Sequence, residues 1–285
     1  MVRPKRPMPP ITVTLDIEDH LGRYDSGGRY VGNTRRILEF LRERKVRGTF
    51  FVVGRTAEVQ PELVREIVNG GHEVACHSYR HTPLDRESVA TFRKDTARAK
   101  AALEDAGGVP VAGYRAPIFS LTRHTSWALD ELAGMGFGYS SSILPAASPL
   151  YGFPGAPESP FRWQNGLVEF PVPLTRIGPA KLPFLGGVYL RYMPTWLIRR
   201  WVREATSSVL WTYLHPYDFD TTEPYVRMPD TAAWVSLLLW FKRAGTWEKL
   251  RSLTATEPGR PLGELMHDPT VIGRSAPPAL EQRLA

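Results

Sequence analysis

The sequence contains a single cysteine, Cys76, among its 285 residues. One cysteine cannot form an intramolecular disulfide, so packing and hydrogen bonds must hold the fold together. Long apolar runs are also missing, because no uninterrupted stretch approaches the roughly 20 residues that span a bilayer. The basic N-terminus, residues 1–7, runs into Pro9 and Pro10 without the apolar segment of a signal peptide. These absences lead us to expect a soluble, cytoplasmic protein.

Acidic residues are fewer than basic ones, 29 against 36, which gives a formal net charge of +7. A basic surface favours anionic partners, such as a phosphate-linked carrier of a substrate or a membrane surface, although it also serves general solubility. The sequence carries no zinc-finger, helix-turn-helix or RNA-binding signature, so we expect no nucleic-acid partner. It gives no indication of the oligomeric state.

Apolar segments alternate with amphipathic segments along the chain. Residues 11–15 and 72–76 are typical of buried strands, and residues 33–44 are typical of an amphipathic helix. The alternation continues past residue 200. Strands and helices at this spacing predict an α/β fold with a parallel sheet, either closed or open.

Composition predicts three divisions of the chain. Residues 1–10 form a basic N-terminal arm, residues 11–253 form one domain, and residues 254–285 form a polar, proline-containing tail that we expect to be loosely held. Within the domain, residues 196–203 combine tryptophan with arginine, which suits either a core-facing helix or a membrane-surface helix. We expect the core-facing arrangement, and membrane-surface association is the less favoured alternative.

Polar residues follow three of the predicted strands at the points where those strands end. Residues 16–19 (DIED) follow the first strand, His77 and His81 follow the third, and His215 follows a strand-like run at residues 209–214. In barrels and open α/β sheets, catalytic groups gather at the C-terminal ends of the strands. We therefore expect these side chains to converge at one edge of the sheet.

His77 and His81 are four residues apart, as in a metal-binding pair. On a helical turn this spacing places both imidazoles on one face, where they can reach one cation. Two histidines and a carboxylate are a usual ligand set for a catalytic divalent metal with open coordination positions. An isolated pair can also be structural, so the prediction depends on the acidic cluster upstream.

The acidic cluster at residues 16–19 offers that carboxylate. A metal-dependent hydrolase needs one carboxylate on the metal and a second that takes a proton from the attacking water. Asp16 and either Glu18 or Asp19 could divide these tasks, although acids after a strand are also common in solvated turns. His215 suits a general acid, because histidine carries a proton near neutral pH, and a buried structural histidine is the alternative.

Five segments, in order, resemble the motifs of the polysaccharide deacetylase family, also called the NodB-homology or carbohydrate esterase 4 group. The segments are 14–19 (TLDIED), 71–81 (GHEVACHSYRH), 113–120 (GYRAPIFS), 139–142 (YSSS) and 213–216 (YLHP). The resemblance runs from about residue 11 to 253, and five ordered motifs are far more specific than one. Residues 167–171 and 186–191 are also similar to a branch associated with exopolysaccharide and lipid-linked sugar pathways.

The resemblance implies a distorted (β/α) barrel with its active site at the C-terminal ends of the strands. It implies a bound zinc ion, with cobalt, nickel or manganese as alternatives, and His77 and His81 as metal ligands. Asp16 would be the general base, His215 the general acid, and Arg115 the residue that orients Asp16. The residues implied to shape the substrate groove are Tyr79, Pro117, Tyr139 and Ser141.

The chain departs from the family pattern in two motifs. The family has two adjacent aspartates in its first motif, whereas the acids here are Asp16, Glu18 and Asp19. Related variants with one residue between the acids favour Glu18 as the third metal ligand, and a gapped alignment favours Asp19, so both are candidates. In the fourth motif, Ser140 occupies the position of the usual aspartate.

The function implied by the resemblance is metal-dependent removal of an N-acetyl group from an amino sugar, whether polymeric, oligomeric or carrier-linked. One alternative is an enzyme of the same fold that hydrolyses a non-sugar C–N bond, as allantoinase-like relatives do. The other is a non-catalytic sugar-binding relative. The joint presence of Asp16, His77, His81 and His215 argues against this last alternative.

Overall fold

The computed structural model describes residues 7–24, 28–228, 232–255 and 257–273. Its strands are β1 (Ile11–Ile17), β2 (Gly48–Val52), β3 (Glu73–Cys76), β4 (Gly113–Tyr114), β5 (Tyr139–Ser140), β6 (Phe161–Arg162), β7 (Val168–Glu169), β8 (Leu174–Ile177), β9 (Ala180–Pro183) and β10 (Leu210–Trp211). Its α-helices are α1 (Arg29–Glu43), α2 (Gly54–Val59), α3 (Pro61–Asn69), α4 (Val89–Gly107), α5 (Trp127–Gly134), α6 (Gly187–Tyr192), α7 (Thr195–Glu204), α8 (Ala233–Trp240), α9 (Thr246–Leu253) and α10 (Leu262–Leu265).

Eight of the strands form one curled sheet in the order β10-β1-β2-β3-β4-β5-β7-β6. Each neighbouring pair is parallel except β6 and β7, which are antiparallel. Strands β8 and β9 form a separate antiparallel hairpin. The α/β fold with a parallel sheet is therefore confirmed, and the curl of the sheet gives the distorted barrel that the motifs imply.

The two faces of the strands contribute to two different apolar cores. Phe50 of β2 and Val74 of β3 pack in the larger core with the helices, whereas the next residues, Phe51 and Ala75, belong to a second core. This alternation follows from the two-residue period of side chains along a strand. The second core lies inside the curl and includes the fully buried Trp211, so the interior of the barrel is filled with side chains.

Residues 257–273 pack against the end of the barrel at which the parallel strands begin, here called its lower end. The amide of Leu262 donates a hydrogen bond to Oγ1 of Thr49 at 2.9 Å, and both Leu262 and Leu265 of α10 are buried in the inner core. The loose attachment predicted for this segment is therefore wrong, because two leucines within a polar stretch anchor it in the inner core. The domain boundary at residue 253 stays a prediction.

Helix α7 buries one of its two tryptophans. Trp201 packs with Ile198 and Val202 in the larger core, whereas Trp196 is 66% exposed. The core-facing arrangement predicted for this helix is thus correct for Trp201 and wrong for Trp196. Among the helices of the described part of the chain, none combines the length and the apolar character needed to traverse a bilayer.

We predict that Leu262→Ala lowers the free energy of unfolding by about 2–5 kcal/mol, because it removes buried methyl groups and leaves a cavity. Urea denaturation followed by circular dichroism measures the change. Leu150→Ala is the matched control, since Leu150 is 78% exposed and its truncation should change the free energy by less than about 0.5 kcal/mol. Equal effects of the two substitutions would show that α10 does not support the barrel.

Candidate functional site

Backbone pairing brings the predicted site residues to one edge of the sheet. The amide of Asp16 donates to the carbonyl of Leu214 at 2.8 Å, which places His215 beside the end of β1. The amide of Arg115 donates to the carbonyl of Cys76, the residue before His77, at 2.9 Å. The carboxyl ends of β1, β3, β4 and β10 therefore meet, and the convergence expected from the strand-end rule is present.

The helical turn predicted for His77 and His81 is wrong. Both residues lie in the irregular loop after β3, where Ser78 and His81 each have a φ of 60°. Left-handed backbone at non-glycine residues is uncommon and often accompanies a functional site. The amide of His81 donates to Oγ of Ser78 at 2.9 Å, and the two imidazole centroids lie 4.9 Å apart. The histidines thus converge through a bent loop rather than along a helix face.

Three side chains lie close enough together to bind one metal ion. The ligand atoms of Glu18, His77 and His81 are all within 4.8 Å of one another. Glu18 Oε2 is 2.5 Å from His81 Nε2 and 3.9 Å from His77 Nε2. Asp19 is outside this group, and its Oδ1 accepts a hydrogen bond from the amide of Leu21 at 2.8 Å. The geometry therefore favours Glu18 over Asp19 as the carboxylate ligand.

The donor set of this group fits a divalent metal ion. His77 Nδ1 lies 2.9 Å from the carbonyl oxygen of Arg115, so its Nε2 faces Glu18, and such a tether fixes the orientation of a metal-binding ring. Burial lowers the pKa of His77 to about 4, which leaves the ring neutral at pH 7. Burial acts to raise the pKa of Glu18, but the charge of His81 brings it below its usual value. Zinc, cobalt, nickel and manganese all accept carboxylate and imidazole ligands.

Asp16 is held by a buried guanidinium and keeps one oxygen free for the site. Arg115 Nη1 donates to Asp16 Oδ1 at 2.6 Å. The second oxygen, Oδ2, lies 3.9 Å from His77 Nε2 and 3.8 Å from His215 Nε2. Asp16 thus stands beside the candidate metal group without belonging to it, as a general base must.

Arg115 is itself fixed from several sides. Its Nη2 donates to Oγ of Ser141 at 3.0 Å, and its guanidinium carbon lies 3.8 Å from the ring centroid of Phe51 and 4.4 Å from that of Trp211. Burial lowers the pKa of Arg115, while the charge of Asp16 opposes that shift. An arginine stays protonated in proteins, so this site contains a permanent buried positive charge.

His215 is held by a buried carboxylate that the sequence analysis did not identify. Oδ2 of Asp218 lies 3.0 Å from His215 Nδ1 and accepts a hydrogen bond from the backbone amide of the same residue at 2.9 Å. Arg191 Nε lies 3.1 Å from the other oxygen of Asp218. Burial acts to lower the pKa of His215, but the hydrogen bond and charge of Asp218, with the charges of Glu18 and Asp16, raise it to about 9. His215 can therefore hold a proton at neutral pH.

A cleft of about 270 Å³ opens over these groups. Asp16, Glu18, His77, His81 and His215 contribute its polar lining. The remaining wall is largely aromatic and aliphatic, and sequence analysis missed it, because most of its residues come from loops without a regular pattern. They include Phe119, Leu144, Tyr151, Val172, Tyr189 and Tyr213.

The two tyrosines predicted to shape the substrate groove do not line this cleft. Tyr79 is buried, and its hydroxyl donates to Glu58 Oε2 at 2.8 Å. Tyr139 is also buried, and its hydroxyl donates to Glu73 Oε1 at 2.8 Å. The prediction of direct substrate contact is therefore corrected for these two tyrosines. Each has a supporting role, because its hydroxyl is hydrogen-bonded to a carboxylate away from the cleft.

Pro117 and Ser141, also predicted to contact the substrate, support the site from behind. Ser141 accepts a hydrogen bond from Arg115, as described above, and Pro117 is buried. The neighbours of Pro117, Ala116 and Ile118, line the cleft instead. The segment 113–120 thus contributes to the cleft lining, but through residues other than the predicted Pro117.

Two family models match consecutive parts of the chain. Residues 6–137 match the model described as Polysaccharide deacetylase. Residues 141–258 match the model described as Domain of unknown function (DUF3473). The candidate metal group and Asp16 lie in the first region, whereas His215 and Asp218 lie in the second.

Curated relatives with similar segments include sugar deacetylases. The chain is 29% identical over 99 residues to a peptidoglycan-N-acetylglucosamine deacetylase of Bacillus cereus, which covers 34% of this chain and 36% of the relative. It is 39% identical over 103 residues to a chitooligosaccharide deacetylase of Rhizobium leguminosarum bv. trifolii, which covers 35% of this chain and 44% of the relative. The matched segments span less than half the length of either relative.

Solved structures share the fold over most of the chain. One described as a polysaccharide deacetylase from Mycobacterium smegmatis aligns with a TM-score of 0.59 and 23% identity, covering 90% of this chain and 88% of that one. A CE4 family pseudoenzyme from Bacillus anthracis aligns with a TM-score of 0.51 and 13% identity, covering 93% and 66%. At these identities the similarity establishes the fold alone.

We predict that Glu18→Gln weakens metal binding by on the order of 100-fold, because it removes the charged ligand from the group of three. Elemental analysis of the purified protein after dialysis against limiting zinc measures the bound metal. Asp19→Asn makes the same chemical change at the neighbouring position and should retain the wild-type metal content. The reverse pattern would assign the carboxylate ligand to Asp19, and undiminished binding in both variants would show that this group is not the metal site.

Proposed function

Because residues 6–137 of this chain match the model described as Polysaccharide deacetylase, we propose that the protein is a metal-dependent hydrolase that removes the N-acetyl group from an amino sugar. The observation that carries the proposal is one arrangement at the end of the sheet. Glu18, His77 and His81 can share an ion, and a free oxygen of Asp16 lies within 4 Å of both His77 and His215.

The metal is proposed to be zinc, held by Glu18, His77 and His81, and cobalt, nickel and manganese suit the same ligands. The chemistry that such an ion supplies when bound is polarisation of the acyl carbonyl and acidification of water. The buried Glu18 and His77 exclude bulk solvent on one side, whereas the half-buried His81 and the cleft leave the other side open to substrate.

Asp16 and His215 would divide the proton transfers of hydrolysis. Asp16 Oδ2 takes the proton of the attacking water, while Arg115 holds Oδ1 and prevents the carboxylate from turning away. His215 then donates its Nε2 proton to the departing amine, and Asp218 holds the ring through Nδ1. The protonated state that this step requires is the one that the raised pKa of His215 favours.

The cleft wall supports a sugar substrate. Tyr151, Tyr189 and Phe119 present aromatic rings beside the catalytic groups, and such rings pack well against the apolar faces of a pyranose. The similarity of segments of the chain to peptidoglycan and chitooligosaccharide deacetylases supports the same substrate class.

We predict that Asp16→Asn lowers the rate of acetate release from an N-acetylated chitooligosaccharide by about 100-fold or more, because it removes the proton acceptor. The released acetate is measured by a coupled enzymatic assay, and the bound metal is measured on the same preparation. His124→Ala, a substitution at an exposed histidine outside the cleft, is the control and should leave the rate unchanged.

Two outcomes would contradict this assignment. If Asp16→Asn retained its metal and stayed within a few-fold of the wild-type rate, another group would have to be the base. If the metal-loaded wild type released no acetate from any N-acetyl sugar but hydrolysed ureides or cyclic imides, the substrate class would be wrong.

We predict that Asp218→Asn shifts the alkaline limb of the pH–rate profile to lower pH. His215 must be protonated to act, so activity falls as the pH rises through its pKa, and Asp218 holds that pKa up. Removal of the negative charge therefore lowers the pKa and brings the loss of activity closer to neutrality. A lower rate with an unmoved alkaline limb would instead indicate that Asp218 only positions the ring.

A further inference from the structure

Helix α8 presents an apolar face to solvent. Trp234, Leu237 and Phe241 lie three and four residues apart, and they are 65%, 41% and 59% exposed. Trp234 and Leu237 share one side of α8, and Phe241 follows directly after the last helical residue with extended backbone. The apolar side of a surface helix normally packs against the core. The three residues, here called the α8 face, therefore form an uncovered apolar surface within the described part of the chain.

The attachment of α8 to the protein does not use this face. Arg191 Nη1 donates to the backbone carbonyl of Leu239 at 2.8 Å and to that of Phe241 at 3.2 Å. Oγ of Ser236, a fully buried residue, accepts a hydrogen bond from the amide of Met228 at 3.1 Å. These contacts and the packing of Trp240 against His20 and Arg243 hold the helix, while Trp234, Leu237 and Phe241 stay exposed. The α8 face is therefore available to a partner.

Helix α8 also borders the mouth of the cleft. Leu239 of α8 lines the cleft, and so do three exposed apolar residues from other segments. These are Ile118, which is 49% exposed, Leu150, which is 78% exposed, and Tyr189, which is 41% exposed. A partner that covers the α8 face would therefore lie beside the opening through which substrate enters.

The chemistry of this surface matches a lipid bilayer better than a carbohydrate. Leucine, isoleucine and phenylalanine have no polar group that could hydrogen-bond to sugar hydroxyls, whereas tryptophan beside aliphatic side chains is typical of the membrane interface. Arg227 and Lys242, both exposed, flank α8 in sequence, and the chain carries a net charge of +7. Cationic side chains at the edge of an apolar patch complement anionic headgroups.

We propose that the α8 face docks the protein on an anionic lipid surface, with the mouth of the cleft turned toward the bilayer. The inference stands on the exposed side chains and the flanking charges, and it does not require the proposed deacetylase activity. Taken together with that activity, it implies an amino sugar presented at the membrane surface.

The test is sedimentation of the full chain with vesicles of phosphatidylcholine, with or without phosphatidylglycerol. The wild type is expected to bind the anionic vesicles, and to bind less as salt is added. The triple variant W234Q/L237Q/F241Q is expected to bind at least about tenfold more weakly. W196Q is the matched control, because Trp196 is equally exposed on α7 but does not line the cleft, and it should bind like the wild type.

Each other outcome overturns the proposal. Absence of vesicle binding at low salt would remove it, and so would binding that the triple variant retains or that W196Q loses to the same degree. If sedimentation velocity showed a wild-type dimer that the triple variant dissociates, a second copy of the chain would cover the face instead. Acetate release from a soluble substrate is measured alongside, because failure of that reaction with intact vesicle binding would count against the enzyme activity alone.

Discussion

A buried positive charge at the centre of the curled sheet determines how the site is built. Arg115 donates to Asp16 with its guanidinium, and its backbone carbonyl lies 2.9 Å from His77 Nδ1, so one residue positions two of the site's groups. A charge in a packed interior is costly unless it is paired and surrounded by acceptors and polarisable rings. Asp16, Ser141 and the ring of Trp211 provide these partners. Barrel packing and site geometry therefore depend on each other. A change in Asp16 or in the aromatic interior would leave the guanidinium of Arg115 without its partners in an apolar environment.

The part of the site that could be predicted from sequence is the part fixed by strand ends. Asp16, His77 and His215 each follow a buried strand, and parallel pairing forces such positions to one edge, so their convergence needed no knowledge of side-chain conformation. His81 joins the candidate metal group through a loop and not through the predicted helical turn, because spacing alone cannot distinguish a helical turn from a loop with a positive φ at Ser78. The overall α/β order was predictable for the same reason, since it follows from short-range periodicity.

The remaining features of the site and the fold depend on side-chain directions, which a sequence pattern does not specify. Tyr139 belongs to a motif, yet its strand turns it toward Glu73 at the lower end of the barrel rather than toward the cleft. Asp218 carried a signal in its spacing, three residues after a histidine at a strand end, but only the tight turn at residues 216–219 shows that its carboxylate reaches back to His215. Leu262 was overlooked because one short apolar pair in a polar segment has no periodicity, although it packs in the inner core.

His215 and the candidate metal group lie far apart in the chain and meet because β10 pairs with β1 at the edge of the sheet. The three candidate ligands precede residue 82, whereas much of the cleft wall lies beyond residue 140. Mutations in the later region can reshape what enters the cleft while the earlier region keeps its geometry. The residues that could hold an ion and most of the apolar cleft wall thus lie in separate stretches of sequence, so substitutions in the wall need not alter the ligands themselves.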